Sequence, residues 1–122
     1  DRVFCAWIRA RDAGLPCICC GGTAQASSLT GGEWDAGHYR SRGRASQLRY
    51  DPRNCHAQRK QCNRHAFDTA SYRANLIQRI GLEAVEALEQ DNRTHKWTRD
   101  ELREIRDTYR RKLRELLKAR KE

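Results

Sequence analysis

The strongest constraint on what this chain can fold into is a pair of cysteines three residues apart, Cys17 and Cys20, followed at once by Gly21 and Gly22. Thiolates at this spacing sit on one tight turn and face one tetrahedral metal ion, and glycine permits the turn that follows. A redox disulfide, the competing reading, belongs at a strand-to-helix junction of a βαβ unit, and nothing in the sequence resembles one. Only 38% of the 122 residues are hydrophobic and 7% aromatic, a thin core for one domain, and chains this short often add a metal or disulfides. With no secretory signal pattern, zinc is favoured over a disulfide framework. Cys55 and Cys62 are expected to supply the second pair of thiolates, at a spacing wider than usual. Cys19 is expected to point away from the metal, and Cys5 to act as a small apolar residue.

The rest of the pattern is short strands followed by helices. Residues 2–13 predict a helix with Phe4, Trp7 and Ile8 on one face and Gly14 as its stop. Seven of the eight glycines fall between Gly14 and Gly43, which marks turns and short extended pieces. Strands are expected around 34–40 and 47–50, separated by the loop 41–46, with Asp51-Pro52 as a turn. A helix is expected from about Cys62, and another over 72–80, where Tyr72, Leu76 and Ile80 recur at spacing four. Gly81 breaks it, and Leu82, Val85 and Leu88 continue on a short amphipathic helix. After a polar linker at 91–97, Thr98 and Glu101 form a capping box. That box opens a long helix with Leu102, Ile105, Tyr109, Leu113, Leu116 and Leu117 on one stripe, read as packing surface. The longest uncharged run, 15–32, is rich in Gly, Ser and Cys, so no membrane span is expected. The chain lacks methionine and opens at Asp1, as expected of a fragment or processed form of a longer protein.

The charge is concentrated. The chain carries +9 at neutral pH, and between Arg40 and His65 eight basic residues face one acid, Asp51. Such a segment suits a phosphate-rich partner, because each neutralised phosphate releases counterions. A solvated surface of a basic protein is the competing reading.

Around the cysteines stand the segments WDAGHYRSRG and LRYDPRNCHAQRKQCNRH. Here the chain resembles the HNH branch of the ββα-metal nucleases, with His38 ending a short strand, Asn54 after a second strand, and Asn63 opening a helix beside a zinc cysteine. The resemblance implies an α+β fold: a small zinc-bound ββα-metal (HNH-like) core at 15–70, an N-terminal helix at 1–14 and a C-terminal helical extension at 71–122. Phosphodiester cleavage requires a base to take a proton from water, for which His38 has a suitable pKa. It also requires a cation at the scissile phosphate. Asn63 would hold Mg²⁺ or Mn²⁺ through oxygen, and Asn54 would fix the loop and orient the histidine. The segments LPCICCGG, WDAGHYRSRG, NCHAQRKQCNRH, YRANLIQRIG and KWT, in that order over nearly the whole chain, are similar to the phage NinG (Rap) recombination endonuclease family. That resemblance implies a phage-encoded, structure-specific endonuclease acting in the bacterial cytoplasm on D-loops and Holliday junctions. It further implies products with 5′-phosphate and 3′-hydroxyl ends. Arg40, Arg42, Arg44, Arg49, Arg53, Lys60 and Arg64 would then bind DNA backbone rather than read bases. Symmetric incision of a four-way junction would favour a homodimer.

The sequence departs from the HNH pattern in two places. The first cysteine of a second C-x-x-C would fall at Arg59; Cys55 is the favoured replacement ligand, with His56 as the alternative. Where many HNH enzymes carry a metal-binding acid or histidine just before the catalytic histidine, this chain has Gly37. Asp35 is the nearest carboxylate, on the same strand face as Gly37, and His65 is a candidate metal ligand or phosphate contact. The incomplete metal site keeps a second reading open, a non-catalytic zinc-stabilised DNA-binding module.

Overall fold

The computed structural model describes residues 1–22, 34–64 and 67–121. It is an α+β arrangement of five helices around a two-stranded sheet: α1 (Arg2–Arg11), β1 (Trp34–His38), β2 (Cys55–Arg59), α2 (Lys60–Arg64), α3 (Thr69–Ile80), α4 (Leu82–Gln90) and α5 (Arg99–Lys121). No helix among the described residues is long and apolar enough to cross a membrane.

Helix α1 buries Phe4 and Ile8, four residues apart, together with Ala6 and Ala10. It ends short of the expected Ala13, where the backbone tightens into turns with the Ala13 N–H on the Ala10 carbonyl at 3.3 Å and the Leu15 N–H on the Asp12 carbonyl at 2.9 Å. Asp12 is buried, accepts the backbone N–H of Ala57 in β2 at 2.9 Å, and pairs with Arg11 at 2.7 Å. The Arg11 guanidinium also donates to the carbonyls of Pro52 and Cys55 at 2.9 and 2.8 Å. This buried network ties α1 to β2, and its hydrogen bonds offset the cost of burying the charges.

The strands pair antiparallel, with Trp34 opposite Arg59, Gly37 opposite His56 and His38 opposite Cys55. The first strand lies within the expected range, but the second does not. Residues 47–50 form no strand; Ser46–Leu48 is a short 3-10 turn, and the second strand begins only at Cys55. The cause is local hydrogen bonding. Asn54, fully buried, donates to the carbonyls of Arg40 and Leu48 at 3.0 and 3.3 Å and accepts the Arg40 N–H at 2.9 Å. Asp51 caps a second 3-10 turn at Pro52–Asn54 through the Arg53 N–H. The loop therefore folds back on Asn54, which precedes the second strand rather than following it.

Three apolar clusters hold the elements together. Ile18, Leu48, Tyr72, Leu76, Val85 and Leu88 pack beneath α3 and α4. Phe4, Ile8, Tyr50, Cys55 and Tyr109 join α1, the sheet and α5, with Phe4 edge-on to Tyr50 and Tyr109 at 5.5 and 4.8 Å. Cys17, Cys19, Trp34 and Ala57 form the third. The capping box is formed: Glu101 accepts the Thr98 N–H at 3.0 Å, and Thr98 accepts the Glu101 N–H at 3.1 Å. Gly81, at φ +91°, separates α3 from α4 as its position predicts.

Candidate functional site

Two centres lie at the sheet, each built from residues that strand and turn geometry bring together. At the first, the sulfurs of Cys17, Cys20 and Cys62 all lie within 4.8 Å of one another. The turn carrying Cys17 and Cys20 is closed by the bonds Cys17 N–H to Gly22 O and Gly21 N–H to Cys17 O, both 2.9 Å, with Gly21 at φ +73°. Backbone N–H groups point at the sulfurs: Gly22 at Cys20 at 3.4 Å, and Arg59 at Cys17 at 3.3 Å. Donors so placed favour thiolates over thiols. Burial alone would raise the Cys20 pKa, but the Gly22 N–H, the neighbouring cysteines and the Arg59 side chain bring it below the ordinary thiol value. Cys62 is pushed up to about 12 by burial and by the adjacent Cys20 and Cys17. Three sulfurs this close cannot all ionise without a cation between them, and the group is one that could hold a soft-ligand metal such as zinc.

The ligand set differs from the expected one. Cys55 is fully buried in the α1–α5 cluster, with its sulfur 3.9 Å from His38 Nδ1, and is not part of the thiol group. Position along the strand explains this: Arg59 at the end of β2 meets Cys17, whereas Cys55 opens the strand and packs with Phe4, Ile8 and Tyr109. Nor does His56 belong to that group; it bonds to the Arg53 carbonyl at 3.0 Å and lies 3.2 Å from Arg11. Cys19 points away, toward the Asp68 carbonyl, as expected.

The second centre is a groove of about 600 Å³ lined by Asp35, His38 and Asn63 together with Cys5, Arg9, Tyr39, Arg42, Arg64 and Phe67. His38 closes β1, and its Nε2 lies 2.9 Å from the Arg49 carbonyl. A carbonyl only accepts, so Nε2 carries the hydrogen and Nδ1 keeps its lone pair. Burial, partly offset by that hydrogen bond, holds the His38 pKa below the ordinary histidine value, with Arg42 and Arg49 adding to the depression. The imidazole is therefore neutral at pH 7. Asn63, on α2, donates its Nδ2 to Asp35 at 3.0 Å, which leaves its Oδ1 available, and Arg64 spans both oxygens of Asp35 at 3.0 and 3.2 Å. One carboxylate and one amide oxygen in an open groove are hard donors of the kind that hold Mg²⁺ or Mn²⁺, with water and substrate completing the shell.

Asn54 does not line the groove. It fixes the 40–48 loop, and so positions the Arg49 carbonyl that orients His38. Gly37 has a steric explanation: a Cβ there would lie 2.0 Å from Oε1 of the buried Gln58, and the Gly37 carbonyl accepts the Tyr72 hydroxyl at 2.6 Å. An acid at 37 would meet Gln58. His65 lies outside the described residues.

The basic residues divide in use. Arg42 and Arg64 line the groove with more than half of each side chain exposed. Arg44 is exposed and Lys60 half-buried. Arg53 pairs with Asp51 at 3.0 Å, and Arg49 pairs with Asp1. Arg40 turns inward, donating to the Leu88 and Asp91 carbonyls at 3.0 and 2.5 Å, which caps the end of α4. Sequence reasoning missed Cys5, Arg9 and Phe67 as groove residues. Cys5 and Arg9 stand four apart on α1, a helical spacing that would have paired them had the docking of α1 on the sheet been foreseen.

A family model described as "Bacteriophage Lambda NinG protein" matches residues 1–120. Among curated relatives, the "Protein ninG" of Salmonella phage P22 is 46% identical over 118 residues, covering 96% of this chain and 55% of the relative. Those of Escherichia phage 933W and Escherichia phage lambda are 47% and 45% identical over the same length, covering 96% of this chain and 56% and 55% of the relative. The chain thus spans about half the length of the curated relatives it matches. No solved structure matches it.

Proposed function

The chain belongs to the NinG family of phage proteins, and on that footing we propose that it is a metal-dependent, HNH-type DNA endonuclease acting on branched recombination intermediates in the cytoplasm of the infected bacterium. The observation that carries the reading is the groove in which a neutral histidine of fixed tautomer stands with a carboxylate, an amide oxygen and two arginines. His38 Nδ1 takes the proton from an attacking water, and the Arg49 carbonyl stabilises the imidazolium that results. Asp35 and Asn63 hold Mg²⁺ or Mn²⁺, the Arg64 guanidinium moving from Asp35 to a DNA phosphate. When bound, that ion neutralises charge on the scissile phosphate and the leaving oxygen. Arg42 and Arg64 grip the backbone on either side, which fixes position without reading sequence. Cys17, Cys20 and Cys62 hold a structural zinc that fastens the 17–22 turn to the start of α2.

The test is cleavage of labelled D-loop, four-way junction and linear duplex DNA in Mg²⁺ and Mn²⁺ by the chain and by His38→Ala. Structure-selective cutting is expected, falling by a factor on the order of 10² to 10⁴ in the variant. Tight binding without cutting by either protein would replace this reading with the zinc-stabilised DNA-binding module. Paired incision of a junction requires two grooves, hence a homodimer on DNA; sedimentation of a one-to-one complex would count against that.

A further inference from the structure

The spacing and geometry around Arg59 carry the metal centre one step further. Arg59 precedes Cys62 by the same three-residue interval that separates Cys17 from Cys20, so its backbone occupies the first position of a second thiolate turn. Its N–H points at Cys17 Sγ at 3.3 Å, which places its backbone beside the sulfur group. Its side chain crosses Gly22: a Cβ at Gly22 would lie 2.9 Å from Arg59 Nη1 and 3.3 Å from Cys20 Sγ, so guanidinium and thiolate converge on one point. Cys20 is exposed and Cys62 half-exposed. No fourth histidine, cysteine or carboxylate joins the three sulfurs among the described residues.

We propose that Cys17, Cys20 and Cys62 bind zinc through three thiolates only, and that the fourth tetrahedral position, beside the Arg59 guanidinium, takes an exchangeable ligand from solution. Water occupies it at rest, and a soft monovalent donor, a small thiolate or azide, displaces the water. Zinc with three thiolates carries one net negative charge, and the Arg59 cation balances it. A closed structural site offers neither the charge balance nor the exchange. Soft donors are favoured because three sulfur ligands already bias the ion toward them.

The inference rests on the zinc reading above, and the experiment separates the two. The full chain is loaded with Co²⁺ as a spectroscopic substitute for zinc, and its visible and near-ultraviolet bands are followed during titration with mercaptoethanol or azide. The expected result is a saturable spectral change in the parent. Arg59→Cys is expected to show a four-thiolate spectrum from the outset, no response to either probe, and at least tenfold tighter Zn²⁺ binding by chelator competition. Arg59→Ala, which adds no ligand, retains the response but binds azide more weakly than the parent, and it carries the test should Arg59→Cys misfold. A Co²⁺ spectrum in the parent that neither probe moves shows a fourth protein donor and overturns this inference while leaving the zinc site intact. Absence of stoichiometric Zn²⁺ or Co²⁺ uptake overturns both.

Discussion

At the scale of single residues, two histidines on neighbouring strands are set to opposite uses by their partners. His38 stands at the groove with Nε2 fixed on the Arg49 carbonyl and Nδ1 3.9 Å from the Cys55 sulfur. Burial is the chief cause of its lowered pKa, so the neutral form persists to lower pH than for a free imidazole. In the proposed endonuclease, the acid limb of the pH dependence of kcat/KM is therefore expected below pH 6.5. A limb at or above 6.5 would remove His38 as the controlling base. His56 has no such opening. It is 4% exposed, faces Arg11, Arg79 and Asp12, and is held down to about 4, first by burial and then by the Arg11 charge. The unfolded chain takes up this proton near 6.5 and the folded chain only near 4, so the stabilisation is complete above 6.5 and is lost as pH falls through that window. At about 1.4 kcal/mol per pKa unit the loss is on the order of 3 kcal/mol. Denaturant titrations at pH 7 and pH 4 check it, with His56→Gln flattening the dependence.

At the scale of elements, the capping box makes a prediction of its own. Thr98 and Glu101 each satisfy the other's backbone N–H at the start of α5, the helix whose Ile105 and Tyr109 pack on α1. Thr98→Ala is expected to lower stability by about 1 kcal/mol, measured by chemical denaturation, while leaving DNA binding unchanged because α5 lies outside the groove. This element, with α3, α4 and the break at Gly81, was legible because helix periodicity and end signals are local. The second strand was not. Its alternation, Cys55 and Ala57 to one side, His56 and Gln58 to the other, is plain once the pairing with β1 is known. Taken alone, the same residues resemble a set of metal ligands. The deciding interaction is Asn54 folding the preceding loop onto Arg40 and Leu48, fourteen and six residues away, and no local pattern announces it. The same misplacement assigned Cys55 to the metal. Cys17, Cys20 and the grouping of Asp35, His38 and Asn63 were legible because short spacings or strand ends fix them.

At the scale of the whole molecule, the +9 charge does not convert directly into DNA affinity, because the fold spends part of it internally. Arg11 and Arg40 donate to backbone carbonyls, Arg49 is tied to Asp1, and Arg73 to Glu89 at 2.7 Å. Arg9, Arg42 and Arg64 line the groove, with Arg42 3.3 Å from Asp1 and Arg64 paired with Asp35, both side chains more than half exposed. A protein that neutralises phosphates loses affinity with salt at a slope of about 0.9 per phosphate contacted on duplex DNA. If the groove is the DNA surface, Arg42→Ala should weaken junction binding about equally across sequences and reduce the slope of log K against log salt by about 1. Arg40→Ala should leave that slope unchanged and instead lower stability by about 1–2 kcal/mol, because it leaves the last carbonyls of α4 without their donor. Measuring both variants by fluorescence anisotropy between 50 and 200 mM salt separates charge that faces DNA from charge that holds the fold. Equal slope changes in the two would mean that binding follows total charge, and the groove would lose its claim to be the interface.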